Sequence, residues 1–296
     1  RKRPGLVALT DISGMRSSPN TNDLGFVLGP RLNAGGRIGK ADLAVKLLIE
    51  KNEIIANSIA SELNNLNDER KIIEAKMTNE ALLEIGPTPQ PGSITWAAHT
   101  GWSPGLIGIV ASRTKEKYNK PSIIISIGEK GISKGSARSV KGVDIGSLVT
   151  RLVEEKLIEQ GGGHKLAAGL TLKTENIEPA MVRLSDIIIK QNSPTKEPRK
   201  IEIDGLVTIH STTIKFIEAL DQAGPFGAAM PGPKVALADC RIKYAAQLGD
   251  SHLRLTLSDA TGANLQSIYF RAFDHGLGEK LINSKDTLFH FVGKLE

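Results

Sequence analysis

The stretch Gly161-Gly162-Gly163-His164-Lys165-Leu166-Ala167-Ala168-Gly169-Leu170-Thr171-Leu172 decides how the rest of the chain is read. Three consecutive glycines release the backbone from the usual steric limits, which predicts a loop. Leu170–Leu172 then predicts a short strand. Working upstream, Asp144–Glu159 predicts a helix, Lys134–Ser139 and Ser122–Ile127 predict strands, and Leu106–Tyr118 predicts a further helix. Ser93–Ala98 predicts a strand before them, and Ile177–Gln191 predicts a helix after the glycines. Strands and helices in alternation predict a compact α/β domain.

Two runs set this domain apart. Gly86-Pro87-Thr88-Pro89-Gln90-Pro91-Gly92 and Ser193-Pro194-Thr195-Lys196-Glu197-Pro198 are both hostile to regular structure. Before the first, residues 5–30 predict a short element followed by loop. A helix is expected from about Ala41, and a longer one from Glu53 to Glu84. In the longer one Ile55, Ile59, Leu63, Leu66, Ile73 and Met77 mark one face. After the second run, Ile201–Val207, Lys234–Tyr244, Leu253–Ser258, Leu265–Phe270 and Thr287–Val292 predict five strands, with a turn at Asp259-Ala260-Thr261-Gly262. Five short strands suit a small barrel of OB type, a scaffold for single-stranded nucleic acid.

The 296 residues suffice for two domains, and 40% hydrophobic with 24% charged residues is an ordinary globular composition. No run approaches the roughly 18 apolar residues that a membrane-spanning helix needs. The start, Arg1-Lys2-Arg3-Pro4, has no Met and no apolar leader behind it, and reads as an internal start. One cysteine, Cys240, excludes a disulfide framework and a Cys-based zinc site, and fits a reducing compartment. The net charge of +6 is unevenly placed. Residues 1–40 carry net +5 and residues 101–173 net +6, whereas residues 41–100 carry net −4 and residues 199–296 net zero. Cations beside open glycines suit a polyanion, although a solvated basic surface has the same composition.

Three segments could carry chemistry. In Gly29-Pro30-Arg31-Leu32-Asn33-Ala34-Gly35-Gly36-Arg37-Ile38-Gly39, glycines ahead of a helix could let backbone N–H groups approach an anion, with Arg31 and Arg37 as forked donors. A structural turn is the other reading. In Lys134-Gly135-Ser136-Ala137-Arg138-Ser139, strand alternation puts the Ser136 hydroxyl and the Arg138 guanidinium on one face, either as a phosphate grip or as an exposed edge. The run Gly161-Gly162-Gly163-His164 could cradle an anion on backbone N–H groups. His164 could donate to a phosphate or a sugar. As a general base it would need a partner, and the sequence shows none. A metal nuclease needs several carboxylate or imidazole ligands close together. No such cluster is recognisable here: His99, His210, His252, His275 and His290 have no ligand spacing, and no Asp-x-Asp or HExxH occurs.

Taken in order, these segments resemble the RecJ branch of the DHH phosphoesterases. LGFVLGPRLNAGGRIG (Leu24–Gly39) is similar to the late motif of the DHH domain, and GWSPGLIGIVASRTKEKYNKPSIII (Gly101–Ile125) to the start of the DHHA1 domain. KGSARSV and GGGHKLAAGLTL resemble two further DHHA1 motifs, and AGPFG (Ala223–Gly227) with SHLRLTL (Ser251–Leu257) the C-terminal OB-like region. The resemblance implies an α/β chain in four parts: the end of a DHH domain (1–40), a connecting helix region (41–85), a DHHA1 domain (86–197) and a truncated OB-like β-barrel (198–296). Arg31, Asn33 and Arg37 are implied as phosphate contacts, and Ser136 and Arg138 as the pair that grips DNA near the scissile phosphate. Gly161, Gly162, Gly163 and His164 are implied to line the active cleft, His164 being the one catalytic candidate. Two positions depart from the pattern: Ser103 stands where the family often has histidine, and Ala137 where it usually has glycine.

The activity implied is metal-dependent 5′→3′ digestion of single-stranded DNA in repair and recombination, in the cytoplasm. Mn²⁺ or Mg²⁺ would be held by Asp and His upstream of Arg1, with no metal motif in this chain, so the piece by itself is expected to be inactive. The partners implied are single-stranded DNA, a single-strand-binding protein and a helicase, with no membrane and a monomeric state. Two other readings stand beside it: a DHH phosphodiesterase acting on short RNA or cyclic dinucleotides, and a non-catalytic nucleic-acid-binding module.

Overall fold

A computed structural model describes residues 3–87, 94–191, 200–227, 230–273, 276–284 and 287–296. The chain divides into two compact units, Arg1–Pro198 and Arg199–Glu296. The Ser193–Pro198 run and residues 88–92 of the Gly86–Gly92 run lie outside the described residues.

The first unit begins with helices. Helix α1 (Pro4–Ile12) has Pro at its first position, where a missing N–H costs nothing. Then α2 (Thr21–Asp23), capped reciprocally by Asn20 and Asp23, runs through a π-helical stretch, Leu24–Leu28, straight into α3 (Gly29–Ile38). The loop expected over residues 5–30 and the glycine loop expected at Gly29–Gly39 are therefore mostly helix. Packing overrides the weak helix propensity of glycine here. A Cβ on Gly35 would meet the Lys40 carbonyl at 2.7 Å, and one on Gly39 the Leu66 side chain at 2.9 Å. Those glycines bring α3 against its neighbours, and its internal N–H groups are spent on the helix.

Helix α4 (Leu43–Ile49) follows, and then α5 (Glu53–Ile85), whose N-cap Asn52 accepts from the N–H groups of Ile54 and Ile55. At 33 residues α5 is about 50 Å long. Its buried stripe is Ala56, Ala60, Leu63, Asn67, Glu74, Met77 and Ala81. The expected stripe shares Leu63 and Met77 but misses the alanines, and Ile55 is 48% exposed. Small residues let α1 and α3 approach α5 closely, so volume rather than hydrophobicity sets the inner face.

Beyond α5 lies a five-stranded sheet in the order β1-β2-β3-β5-β4. Its strands are β1 (Thr95–Thr100), β2 (Ser122–Ile127), β3 (Ile132–Arg138), β4 (Gln160–His164) and β5 (Ala167–Lys173). β1 and β2 are parallel, joined by α6 (Ile107–Tyr118), and the other pairs are antiparallel. β2, buried on both faces, is the apolar run the sequence predicts. One face is covered by α7 (Ile145–Glu154) and α8 (Ile177–Lys190), whose Val149, Leu152, Met181 and Leu184 join Ile123, Ile125, Leu170 and Leu172 in the largest core. The other face is covered by α5 and α6 over β1, β2 and part of β3. There Ile124 meets Val110 and Ala111 of α6 and Met77 and Ala81 of α5. Over β5, β4 and the Lys134 end of β3 this second face is open.

The run Gly161–Gly163 is a strand, not the expected loop. A β-strand weakened by glycine persists because β5 supplies a full ladder of partners, from Gln160↔Thr171 to His164↔Ala167.

The second unit is a curled sheet in the order β10-β7-β8-β9, with β6 on β7. Its strands are β6 (Gly205–Val207), β7 (Val235–Leu248), β8 (His252–Ser258), β9 (Asn264–Tyr269) and β10 (Phe289–Gly293). The first half of β7 pairs β10 and β6 and the second half pairs β8. The strand turns between them, with Asp239 at φ 50° and a register shift between Ile242 and Tyr244. Alternation along β8 buries Leu253, Leu255 and Leu257 with Leu237, Cys240 and Leu281 of α10 (Leu277–Ile282), whereas α9 (Ile214–Asp221) has no buried residue. The outer face of β7, β8 and β9 shows Tyr244, Arg254 and Ile268, with Phe270 edge-on to His252 beside it. The architecture is thus α/β with an OB-like curled sheet.

Candidate nucleic-acid interface

Residues opposite one another in a sheet point to the same face, so the register gives the composition of the open surface. One row is Arg138, Ala167 and His164. The next is Ser136, Gly169 and Gly162. The third is Lys134, Thr171 and Gln160. The predicted sharing of a face by Ser136 and Arg138 is realised, with Arg138 Nη1 donating to Ser136 Oγ at 2.9 Å and to the Ala137 carbonyl at 2.8 Å.

The first turn of α6 walls this surface on the β3 side. An ideal Cβ on Gly108 would lie 2.8 Å from Arg138 Nη2 and 3.1 Å from Ser136 Oγ. A side chain there would push the tip of the guanidinium aside. α6 has no side-chain cap at its N-terminus, Ile107 and Ile109 donate to the Ser103 and Leu106 carbonyls, and the helix dipole brings partial positive charge to this edge. From the end of α3, Arg37 reaches the same edge and donates from Nη1 to the Gly105 carbonyl at 3.0 Å. Gly105 is obligatory, because a Cβ there would meet the Arg37 carbonyl at 2.3 Å.

Arg37 and Arg138 are close enough that Arg37 lowers the pKa of Arg138, second to the effect of burial. Neither has a carboxylate partner among the described residues. Two guanidiniums held near each other by neutral acceptors raise the local potential, and an anion would lower it. The cavity at this spot has a volume of about 620 Å³ and reaches from Arg37 and Ser136 to Gln160 and Thr171.

The four residues of the glycine motif separate into two roles. Gly161 and Gly163 face the covered side: a Cβ on Gly161 would meet Val149 Cγ1 at 2.5 Å, and one on Gly163 the Ala167 carbonyl at 2.2 Å. They serve packing. Gly162 faces the open side with nothing within 4 Å of its Cβ position. The His164 side chain lies at the exposed end of β4, and its imidazole has no hydrogen-bond partner among the described residues.

The late helical motif also separates. Arg31 donates from Nε to Asn64 Oδ1 at 2.9 Å and from Nη1 to the Val27 carbonyl at 2.8 Å, which fastens α3 to α5. Six residues on a helix turn the side chain by about 240°, so Arg31 and Arg37 leave α3 in different directions. Asn33 is exposed on α3. Of the two expected phosphate contacts, Arg31 is engaged with α5 and the Val27 carbonyl, and Arg37 reaches the open sheet surface.

Sequence reading missed Lys134, Gln160, Thr171, Gly169 and Gly108 as parts of this surface. Lys134 was within reach, two residues from Ser136 on the same strand face. The others depend on register and on the docking of α6, which no local pattern encodes. Among the described residues no group of three or more His, Cys, Asp or Glu side chains could hold a metal ion, and no helix is long and apolar enough to cross a membrane.

Helix α5 holds these parts together. Glu74 Oε2 accepts from Arg70 at 2.9 Å and its Oε1 from Arg113 of α6 at 3.3 Å. Glu80 accepts from the Trp102 indole at 2.8 Å, and Glu84 from the Ala98 N–H at 3.1 Å. Toward its N-terminal end it carries α3 through Asn64.

Comparison with known proteins places this geometry. Residues 92–190 match the DHHA1 domain and residues 203–296 match the RecJ OB domain. The chain is 34% identical over 262 residues to the single-stranded-DNA-specific exonuclease RecJ of Bacillus subtilis, covering 86% of this chain and 33% of that protein. It is 33% identical over 273 residues to the protein of the same name from Escherichia coli, covering 89% of this chain and 47% of that one. The crystal structure of RecJ from Thermus thermophilus in complex with Mn²⁺ superposes with a TM-score of 0.77 at 24% identity, over 91% of this chain and 39% of that one, a likeness of fold. The chain spans between a third and a half of the length of these curated relatives. With both domains present and matched in this order, the chain belongs to the RecJ family.

Proposed function

We propose that this chain is the substrate-gripping part of a single-stranded-DNA-specific 5′→3′ exonuclease. The observation that carries the reading is the Arg37–Arg138 pair, held by neutral acceptors at the uncapped end of α6 beside a bare strand surface. Arg138 and Ser136 take a terminal or scissile phosphate between a forked cation and a hydroxyl, and Arg37 adds charge from the far side. Gly162 leaves room for the strand to lie against the sheet backbone. His164 donates to a phosphate or sugar oxygen at the end of the row and positions substrate rather than moving a proton.

Mn²⁺ or Mg²⁺ would activate the attacking water in such an enzyme. Among the described residues no group of His, Asp or Glu side chains could hold such an ion, and in this reading the hydrolytic step falls to residues outside this sequence. The enzyme would serve DNA repair and recombination in the cytoplasm, as a monomer, receiving single strands from a helicase in competition with a single-strand-binding protein. A match to the RecJ OB domain over residues 203–296 favours this over a phosphodiesterase for short RNA or cyclic dinucleotides.

The test is direct. The purified chain should retain a 5′-phosphorylated, end-labelled single strand with salt-dependent affinity, and should leave it intact in Mn²⁺. Release of mononucleotides would overturn the division of labour. Equal retention of an uncharged peptide-backbone analogue would overturn the phosphate grip.

A further inference from the structure

The cavity is larger than the phosphate grip requires. One phosphate occupies a small part of about 620 Å³, a volume in the range of sites for whole small-molecule ligands. Arg37 and Ser136 line one end of the cavity, Arg138 stands beside that end through its bond to Ser136, and the surplus lies along the strands. Its lining there is Lys134, Thr171 and Gln160, one from each strand of the open surface. This row lies two residues beyond Ser136 and four beyond Arg138, so it stands about 7 Å from the first and about 14 Å from the second. Steps of that size suit successive nucleotides of an extended strand. No described carboxylate pairs with Lys134, and Gln160 and Thr171 make no side-chain hydrogen bond to described residues. The row thus offers one free cation, one hydroxyl and one amide.

Between the two ends the floor is bare. Gly162 and Gly169 oppose each other across β4 and β5. Neither has a positive φ and neither would meet any atom within 4 Å if it carried a Cβ. Gly135, by contrast, would drive a Cβ to 2.8 Å from Leu170. The fold needs glycine at 135, 161 and 163, but not at 162 or 169. Glycine in a strand is unfavourable unless something approaches the backbone closely. A flat group resting on the sheet between the rows would do so.

We propose that Lys134, Thr171 and Gln160 form a second nucleotide subsite, in which Lys134 pairs with the next phosphate while Thr171 and Gln160 hydrogen-bond the attached nucleotide. The sugar or base between the two phosphates lies on Gly162 and Gly169. This rests on the reading of Arg138 and Ser136 as the first phosphate grip. It makes a dinucleotide, rather than a terminal phosphate, the smallest unit the surface recognises.

Competition against a labelled oligonucleotide tests it, with inorganic phosphate, thymidine 5′-monophosphate and the 5′-phosphorylated thymidine dinucleotide as competitors for the 296-residue chain. The dinucleotide should compete better than the mononucleotide by about tenfold, the size of one charge-assisted contact. In Lys134→Ala, and in the double variant Thr171→Val with Gln160→Ala, that advantage should shrink towards about one. Gly169→Val should melt as the parent chain does, since its side chain enters open space, and should lose the same advantage. An advantage that survives Lys134→Ala and Gly169→Val overturns the second subsite, while Arg138→Ala still weakens both competitors. If Arg138→Ala weakens neither, the first grip fails and the second falls with it.

Discussion

Both units leave one sheet face uncovered, and the two faces have opposite chemistry. On the first, Arg138, Lys134 and the neighbouring Arg37 meet bare glycine. On the second, Tyr244, Ile268 and Phe270 stand out at 53%, 48% and 65% exposure around Arg254, in a stretch whose charges balance to zero. On the proposed reading, the first surface would meet a nucleic-acid backbone by charge. The second can attract a strand only at short range, by stacking and apolar contact. On the proposed reading, a chain with both would separate the recognition of phosphate from the recognition of bases.

The largest effect should come from breaking the first face. Arg138→Ala removes a forked, charge-assisted contact worth about 1.5–3 kcal/mol, so affinity for a 5′-phosphorylated single strand should fall about 10- to 100-fold. The slope of log K against log salt should shrink by about one. Anisotropy titrations at three salt concentrations measure both, and an unchanged slope would mean that Arg138 does not meet a phosphate.

Next in size is a contrast inside the glycine motif. Gly163→Ala drives a Cβ into the Ala167 carbonyl and should cost about 1–3 kcal/mol of stability. Gly162→Ala meets nothing and should cost almost none. Urea titration of both variants decides it, and equal losses would remove the distinction between a packing side and a binding side.

On the second face, Tyr244→Ala should weaken single-strand binding about 5-fold if a base stacks there, a loss of about 1 kcal/mol. The salt slope should not change. A fall in slope would show that this surface also works by charge.

The smallest effect concerns neither face. Glu155 joins α7 to α8 on the covered side, accepting from Arg183 at 2.6 Å and from Arg151 at 3.0 Å. The hydrogen bond from Arg183 first, then that from Arg151, lowers its pKa to about 2. A depressed carboxylate stabilises the fold above its unfolded pKa, near 4.5, and this is lost as the pH falls towards 2. The melting temperature should therefore drop slightly more in the parent chain than in Glu155→Gln between pH 5 and pH 2. Identical pH profiles would show that the pair carries no such linkage.

Much of this fold is legible in the sequence. Ser122–Ile127 is a strand over its whole expected length, and the helix that ends at Tyr118 ends where expected, because an unbroken apolar run and a two-sided helix have few other uses. The glycine segments are less legible. Glycine accepts strand, helix or turn, so Gly29–Gly39 and Gly161–Gly163 take whatever their neighbours impose: helix against α5 in one case, a ladder with β5 in the other. The five strands of the second unit are found with ends shifted by a few residues, and β6 is shorter than expected because only Gly205–Val207 pairs with β7. Of the site, Ser136 and Arg138 follow from strand alternation alone. Lys134, Thr171 and Gln160 share a face only through the pairing of three strands.

The fastening of α5 at both ends has a consequence for how the site tolerates change. Asn64 fixes α3, and with it Arg37, to one part of the helix, while Glu74 and Glu80 fix α6 and Trp102 to another. The helix therefore sets an angular phase between the two fastenings. One residue inserted between Asn67 and Arg70 would rotate one set against the other by about 100°, pulling Arg37 from Gly105 although every contacting side chain remained. Insertion of seven residues would restore the angle but separate the fastenings by about 10 Å. Neither length heals the site, so α5 carries a constraint on spacing that no single substitution would reveal.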